Sequence, residues 1–218
     1  MPRSPAAPPA PPATSSTVTS LFATALYRSP LGGKAPLLED LEAAALSLAE
    51  DDAAGRAWCA ANAYAGYTSY ASLNDLPWRM PPFKALAKRL DAHVAAFADQ
   101  VGFDLGERPL TLDSLWVNVL PKGAGHSGHI HPHSVVSGTL YVALPKGASP
   151  LKLEDPRLPL MMAAPPRRRD APQSLQPFVY LTPEPGEVVL WESWLRHEVP
   201  PHAGREPRIS VSFNYRWG

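Results

Sequence analysis

Apolar side chains alternate with polar ones along the sequence RISVSFNYRW, residues 208–217. Because successive side chains of a β-strand point to opposite faces, this alternation predicts a strand with one apolar face and one polar face. The polar face, which either meets solvent or lines a cavity, consists of Arg208, Ser210, Ser212 and Asn214.

Five more short segments, rich in β-branched and aromatic residues, precede this strand and also predict strands. They are residues 110–120, 137–144, 151–154, 178–182 and 187–191. Pro-Lys-Gly turns at 121–123 and 145–147 follow the first two segments. Short strands and tight turns, placed after a helical half, predict an α+β domain whose sheet closes into a sandwich or a jelly-roll barrel.

Two helices are predicted upstream of the strands, because apolar residues recur there at spacings of three and four. One covers Leu37–Leu48 and the other covers Phe83–Val101, after which Gly102 provides a helix stop. Each helix is apolar on one side, which is typical of a helix that covers a sheet. We therefore expect helical support over residues 35–102, packed on one side of a barrel core over residues 110–217.

Three segments fall outside these elements. Residues 1–16 are rich in proline and alanine and lack large apolar side chains, so they predict a flexible tail. Residues 17–27, TVTSLFATALY, predict a first strand. Residues 157–177 contain several prolines and three consecutive arginines, and they predict a long loop that is a lid or a disordered insertion. The chain thus divides into the tail and a single domain, residues 17–218.

Composition argues against several classes of protein. The 218 residues carry 20 basic and 20 acidic side chains, so the sequence lacks the broad positive charge of a nucleic-acid-binding protein. Its single cysteine, Cys59, excludes an internal disulfide and a cysteine-rich zinc site. The sequence has no uncharged apolar stretch of about 18 residues and no signal-like segment, so we expect a cytoplasmic protein with no membrane partner.

Four of the seven histidines lie within GHSGHIHPHS, residues 125–134. In an extended chain His129 and His131 place both imidazoles on one side, where they form a ready metal chelate. A third histidine, His197, follows a later strand and is a candidate for the third ligand. The competing interpretation is that these imidazoles are exposed or hydrogen-bonded in loops.

Arg208 and Ser210 lie two residues apart on the last strand and therefore share a face. A guanidinium and a hydroxyl on one face suit a carboxylate ligand, because the guanidinium fork donates two parallel hydrogen bonds. The competing interpretation is a surface arginine on an edge strand.

The order of these motifs resembles the non-haem iron, 2-oxoglutarate-dependent dioxygenases. The resemblance covers roughly residues 114–217 and is closest to a branch of bacterial and phage oxygenases in which His-x-His, a distant His and Arg-x-Ser follow one another. Its segments in this chain read HIHPHSVVSGTLYV, LEDPR and HEVPPHAGREPRISVSFNY. The resemblance implies a double-stranded β-helix, which is a jelly-roll barrel with helices packed on one side.

The resemblance also implies roles for individual residues. The implied Fe(II) ligands are His129, His131 and His197. Arg208, supported by Ser210, would hold the far carboxylate of 2-oxoglutarate, and Tyr141 matches a position where relatives place a hydroxyl near it. Asn118 and Trp191 lie on neighbouring strands and are expected to line the pocket. The implied reaction uses O₂ to hydroxylate an unassigned substrate while 2-oxoglutarate is decarboxylated to succinate.

His131 departs from the wider family, in which most members have Asp or Glu at this position. Three neutral imidazoles leave the charge of an iron(II) site at +2, which the 2-oxoglutarate dianion then neutralises. Glu154 or Asp155 is an alternative acidic ligand, although the Asp-Pro-Arg segment is more typical of a turn. His126 and His133 are expected in the loop or around the ligands.

Two other functions stay open from the residues alone. A cupin-like three-histidine metal enzyme or metal-binding protein that does not use 2-oxoglutarate fits the spacing from Gly123 to His129. That alternative leaves Arg208 without a role, and the expected glutamate is replaced by valine. A non-enzymatic jelly-roll module would use its aromatic strands and proline-rich tail for protein contacts.

Overall fold

The computed structural model describes residues 17–32 and 36–218. The flexible tail predicted for residues 1–16 lies outside the described residues. None of the helices in the described part of the chain is long and apolar enough to cross a membrane.

Helices precede most of the strands along the chain. The helices are α1 (Pro36–Asp51), α2 (Ala53–Ala61), α3 (Leu76–Arg79) and α4 (Pro81–Gln100). The strands before the histidine-rich segment are β1 (Tyr27–Pro30), β2 (Tyr67–Thr68) and β3 (Leu110–Leu120). The later strands are β4 (His126–His129), β5 (Val136–Ala143), β6 (Leu151–Glu154), β7 (Phe178–Leu181), β8 (Glu187–Glu192), β9 (His197–Val199) and β10 (Arg208–Trp217).

The strands form two antiparallel sheets. The larger sheet has six strands in the order β1-β8-β5-β10-β3-β2, and the smaller one has four in the order β4-β9-β6-β7. Strand β10 lies inside the larger sheet, where Ser210 pairs with Asn118 on one side and with Tyr141 on the other. The predicted α+β class with antiparallel strands is confirmed at this level.

Helices α1 and α4 cover one face of the six-stranded sheet. The apolar side chains of β10 belong to the same buried cluster as Leu41 of α1 and Leu90 of α4, both of which have no exposed surface. Helix α4 begins at two prolines and ends just before Gly102, whose φ of +76° is the left-handed conformation that glycine adopts without strain. The predicted helices over Leu37–Leu48 and Phe83–Val101 are confirmed.

The opposite face of the six-stranded sheet faces a cavity. Arg208, Ser210 and Ser212 of β10 line that cavity together with Leu151 and Val199 of the four-stranded sheet. The polar face predicted for residues 208–217 is therefore a cavity wall and not a solvent-facing surface.

The first strand predicted for residues 17–27 is wrong, because the first strand of the structure is Tyr27–Pro30. Only Tyr27, at the end of the predicted segment, belongs to a strand, and Val18 and Phe22 are almost fully exposed. Phe22 has a positive φ of 55°, which breaks the extended conformation that a strand needs. Without a neighbouring strand to satisfy its backbone groups, β propensity alone does not form a strand here.

The long loop 157–177 contains two short 3₁₀ turns, Leu158–Leu160 and Gln173–Leu175. Arg157 and residues 173–176 border a surface cavity that they share with residues 18–24. This cavity is distinct from the one that β10 lines.

Candidate functional site

Strand pairing brings two of the predicted metal ligands face to face. Strand β4 ends at His129 and β9 begins at His197, and these two residues are direct partners in the antiparallel ladder. Their ring centroids lie 4.3 Å apart. The ring of His131, two residues after His129, lies 5.0 Å from that of His129 and 5.2 Å from that of His197. One nitrogen from each ring lies within 4.8 Å of the other two, which is a metal-chelating arrangement.

Each of the three imidazoles is oriented through its Nδ1 atom. The Nδ1–H groups of His129 and His197 each donate to a backbone carbonyl two residues earlier in the chain, at 2.8 Å. His131 Nδ1 donates to the side-chain oxygen of Asn214 at 2.6 Å. With Nδ1 protonated, Nε2 is the free lone pair on each ring, and hydrogen bonding of this kind orients histidine ligands in metal sites. His131 Nε2 is buried without any hydrogen-bond partner among the described residues.

Burial keeps these rings neutral. It lowers the pKa of His131 to about 4 and that of His197 to about 3, with neighbouring histidines adding a smaller effect in the same direction. The pKa of His129 is also lowered, chiefly by burial. Because a metal binds the neutral imidazole, the three rings need lose no proton to act as ligands at pH 7.

Arg208 is buried in the same cavity, with 2% of its surface exposed. Its Nε donates to the carbonyl of Ser149 at 3.4 Å and one terminal nitrogen donates to the Ser210 hydroxyl at 3.3 Å. Its guanidinium carbon lies 5.1 Å from the ring centroid of Tyr141. No described residue forms an ion pair with it, although an unpaired buried charge costs several kcal/mol. Arg208 is therefore available to pair with an anionic group of a ligand.

Three further polar atoms in this cavity are buried without a partner among the described residues. They are Asn118 Oδ1, the Tyr141 hydroxyl and Trp191 Nε1. Burial raises the pKa of Tyr141 to about 12, so its hydroxyl is a hydrogen-bond donor at neutral pH. Buried polar groups are normally satisfied, so several unpaired ones around one cavity indicate a polar ligand.

All eight residues singled out from the sequence line this one cavity. They are Asn118, His129, His131, Tyr141, Trp191, His197, Arg208 and Ser210. The candidate acidic ligands are elsewhere: Asp155 is paired with Arg157 at 2.8 Å, and Glu154 lies 3.5 Å from Arg196. Among the described residues, no carboxylate joins the three histidines in the group of possible metal ligands.

The sequence did not single out Tyr64 and Trp116, and it placed His126 only in the surroundings. His126 belongs to β4 and stacks on His129 with ring centroids 4.4 Å apart, while Trp116 stacks on His131 at 6.0 Å. The Tyr64 hydroxyl lies 3.4 Å from His126 Nδ1. Tyr64 lies in the loop after α2, where no motif marks it, and His126 is three residues from His129, which is out of step with a period of two.

The donor set suits a metal ion and an anionic group. Three neutral imidazoles each offer one nitrogen within 4.8 Å of the other two, and such a group could hold a metal ion. A buried guanidinium and unpaired donors occupy the same cavity, as a carboxylate requires.

Residues 114–214 match the model of a protein family described as "Putative 2OG-Fe(II) oxygenase". The matched segment contains the three histidines and Arg208. A search of the curated protein sequences finds no match to the chain.

Solved structures share the fold at low sequence identity. The non-haem α-ketoglutarate-dependent epimerase SnoN from nogalamycin biosynthesis is 15% identical with a TM-score of 0.62, covering 89% of this chain and 77% of that one. HygX from Streptomyces hygroscopicus, with nickel and 2-oxoglutarate bound, is 16% identical with a TM-score of 0.57, covering 89% and 82%. A prolyl-4-hydroxylase from Pseudomonas putida is 15% identical with a TM-score of 0.55, covering 88% and 93%.

Proposed function

Because residues 114–214 match the model of the family described as "Putative 2OG-Fe(II) oxygenase", we propose that the chain is an Fe(II)- and 2-oxoglutarate-dependent oxygenase and that residues 17–218 form one domain with its site in the cavity between the two sheets. Residues 35–102 act as helical support, and residues 110–217 form the jelly-roll core, a double-stranded β-helix. The two antiparallel sheets and the helices on one face support this architecture. The likeness to solved oxygenase structures along most of the chain supports it further.

The three histidines bind the iron in this proposal. His129, His131 and His197 each present Nε2 to a common centre because their Nδ1 atoms are already engaged. Iron bound there, with 2-oxoglutarate and O₂, supplies the oxidation chemistry, including loss of CO₂ from 2-oxoglutarate to give succinate. The protein positions the reactants and excludes water, and hydroxylation of a C–H bond in the primary substrate is the proposed outcome.

Arg208 binds the far carboxylate of 2-oxoglutarate. Its guanidinium lines the same cavity as the histidines and has no acidic partner among the described residues. Ser210 holds one terminal nitrogen of the fork in place, and the Tyr141 hydroxyl supplies a further donor for the carboxylate. Asn118 and Trp191 line the cavity with one unpaired acceptor and one unpaired donor. A buried arginine without a counterion, in a cavity with three converging imidazoles, is the observation that carries the proposal.

Anaerobic titration with Fe(II) and 2-oxoglutarate tests this proposal. The wild-type protein should develop a weak visible charge-transfer band as 2-oxoglutarate binds the metal. Arg208→Ala should retain Fe(II) binding and weaken 2-oxoglutarate affinity by about 100-fold, because loss of one partner of a buried charge pair costs several kcal/mol. Arg216→Ala, an exposed arginine on the same strand, is the matched control and should bind like the wild type.

Two outcomes contradict the proposal. One is a wild-type protein that neither gives the band nor forms succinate. The other is Arg208→Ala that retains full activity with iron bound, which favours the alternative of a three-histidine metal enzyme that does not use 2-oxoglutarate.

The proposed location is the cytoplasm, since the single cysteine, Cys59, is buried and unpaired, as suits a reducing compartment. The proposed partners are O₂ and one primary substrate, because the balanced charge of the chain indicates neither nucleic acid nor an anionic membrane surface.

A further inference from the structure

A second cavity, the outer cavity, is lined by some of the same histidines but not by Arg208. It has a volume of about 720 Å³ and is lined in part by Trp58, Asn62, Tyr70, Asn74 and Asp113. It shares five lining residues with the inner cavity that holds Arg208. These are Tyr64, Trp116, His126, His129 and His131. The two cavities therefore meet at the histidines.

Two rows of aromatic rings form walls of the outer cavity, and both end at a proposed metal ligand. In the first row Tyr70 packs edge-on against Trp116 at 5.0 Å, and Trp116 stacks on His131 at 6.0 Å. In the second row Tyr64 packs edge-on against His126 at 5.5 Å, and His126 stacks on His129 at 4.4 Å. Tyr70 is half exposed, so the first row runs from the surface to the metal ligand.

The outer cavity lacks the cationic side chain that Arg208 gives to the inner one. No lysine or arginine is among its lining residues, whereas Asp113 contributes a carboxylate. Arg216 lies nearby, 3.8 Å from Asp113, but does not line the cavity. Asn62 and Asn74 offer uncharged hydrogen-bonding groups. An anionic group on a ligand would find no cationic side chain to pair with among the described lining residues.

We propose that the outer cavity binds the primary substrate, and that this substrate is a ring-bearing small molecule recognised by stacking and not by pairing of a negative charge. This inference rests on the proposed function, because it takes the histidines as the reacting centre. A volume of about 720 Å³ lies within the range of small-molecule sites. Aromatic walls contribute stacking with a ring, and two amide side chains fix its orientation.

The substrate is unidentified, so the experiment uses two matched probes. Tryptophol is an uncharged indole, and indole-3-propionate has the same ring with a carboxylate. Binding of each is measured by calorimetry and by ligand-observed NMR on protein loaded with Ni(II) and 2-oxoglutarate, in which the inner cavity is occupied. We expect tryptophol to bind, and we expect indole-3-propionate to bind no more tightly.

Two exposed aromatic residues test the wall directly. Tyr70→Ala and Trp58→Ala should each weaken tryptophol binding by about threefold to tenfold, because a stacked aromatic pair is worth about 0.5–1.5 kcal/mol. Tyr70 is 50% exposed and Trp58 is 37% exposed, so their removal should leave the fold and 2-oxoglutarate binding intact. Trp78→Ala, an exposed tryptophan on α3 outside the cavity, is the control and should bind tryptophol like the wild type.

Three results would overturn the inference while leaving the proposed function in place. The first is that protein which binds 2-oxoglutarate fails to bind tryptophol. The second is that it binds indole-3-propionate about tenfold more tightly than tryptophol. The third is that Tyr70→Ala and Trp58→Ala bind tryptophol as Trp78→Ala does. If 2-oxoglutarate itself does not bind, the proposed function and this inference fall together.

Discussion

Asn214 orients His131, which is one of the three proposed metal ligands. Its side-chain oxygen accepts from His131 Nδ1 at 2.6 Å and from the Ser137 hydroxyl at 2.8 Å, and its amide nitrogen donates to Ser114 at 3.3 Å. The Ser137 hydroxyl lies 2.7 Å from that of Ser193, so the amide is fixed from several sides. This network sets the tautomer of His131 and leaves its Nε2 lone pair free for the proposed metal.

Asn214→Leu should weaken metal binding by about tenfold to 100-fold, because His131 loses the acceptor that orients its ring. Asn214→Asp retains an acceptor at the same place and should restore most of the affinity. Calorimetric titration of the apoprotein with Co(II) measures the effect, and circular dichroism checks the fold. Wild-type affinity in Asn214→Leu would show that the hydrogen bond has no role in metal binding.

The histidine cluster should make the metal-free protein sensitive to acid. The pKa of His131 is lowered to about 4 and that of His197 to about 3, below the ordinary value of 6.5, chiefly by burial. Between these values and 6.5 the unfolded chain binds more protons than the folded one, so the free energy of unfolding should fall as the pH is lowered through this range. Urea denaturation between pH 7 and pH 4 measures the slope.

His197→Gln should flatten that slope, since it removes one of the buried imidazoles. His133→Gln, at an exposed position, is the control and should leave the slope unchanged. An identical slope in His197→Gln and the wild type would mean that other groups dominate the acid sensitivity.

At the scale of elements, the segments with clear periodicity could be predicted and the ligand-bearing strands could not. Strand β10 alternates over ten residues and α4 repeats apolar residues over twenty, so each is specified by its own sequence. Strands β4 and β9 have only four and three residues and exist because they pair with one another, and because β9 also pairs with β6. The His-x-His spacing predicts His129 as a ligand, but no local pattern predicts the strand that carries it.

The outer cavity could not be predicted from the sequence for a similar reason. The loop 157–177 has the length and the prolines that are typical of a lid, but it borders the surface cavity that it shares with residues 18–24. The outer cavity is instead lined by Trp58 of α2 and by Tyr70 in the turn after β2. Helix α2 and strand β2 are both short. Long-range packing, and not any local pattern, places these aromatic residues beside the histidines.

Helix α4 should contribute to stability without touching the site. Leu90 has no exposed surface and packs in the cluster between the helices and the six-stranded sheet. Leu90→Ala should lower the free energy of unfolding by about 2–5 kcal/mol, because the cavity left behind is only partly filled. Chemical denaturation measures this loss. The 2-oxoglutarate affinity of the folded fraction should stay at the wild-type value.

Leu46→Ala is the control on α1, because its side chain is 38% exposed. It should change stability by much less than Leu90→Ala. A loss of 2-oxoglutarate binding in folded Leu90→Ala would contradict this expectation. It would mean that packing on the helix-covered face of the six-stranded sheet affects the cavity on the opposite face.

At the scale of the molecule, each sheet contributes one half of the site. His129 and His197 come from the four-stranded sheet, whereas Arg208 comes from the six-stranded sheet. The six-stranded sheet is apolar towards the helices and polar towards the cavity, so folding creates the core and the site on its two faces. Ligands that bridge both sheets should therefore stabilise the whole fold.

Ni(II) together with 2-oxoglutarate should raise the melting temperature of the protein. At 100 times its dissociation constant, a ligand adds about 2.7 kcal/mol, which is about 5–10 °C for a chain of this size. Arg208→Ala should keep the increase from Ni(II) and lose the additional increase from 2-oxoglutarate. Differential scanning calorimetry measures both steps. An undiminished 2-oxoglutarate step in Arg208→Ala would place the co-substrate elsewhere.

The most direct test is anomalous diffraction from crystals grown without oxygen in the presence of Fe(II) and 2-oxoglutarate. We expect one iron peak within bonding distance of Nε2 of His129, His131 and His197, with a carboxylate of 2-oxoglutarate on the guanidinium of Arg208. An iron peak away from these three rings, or an Arg208 fork without a carboxylate, would contradict it.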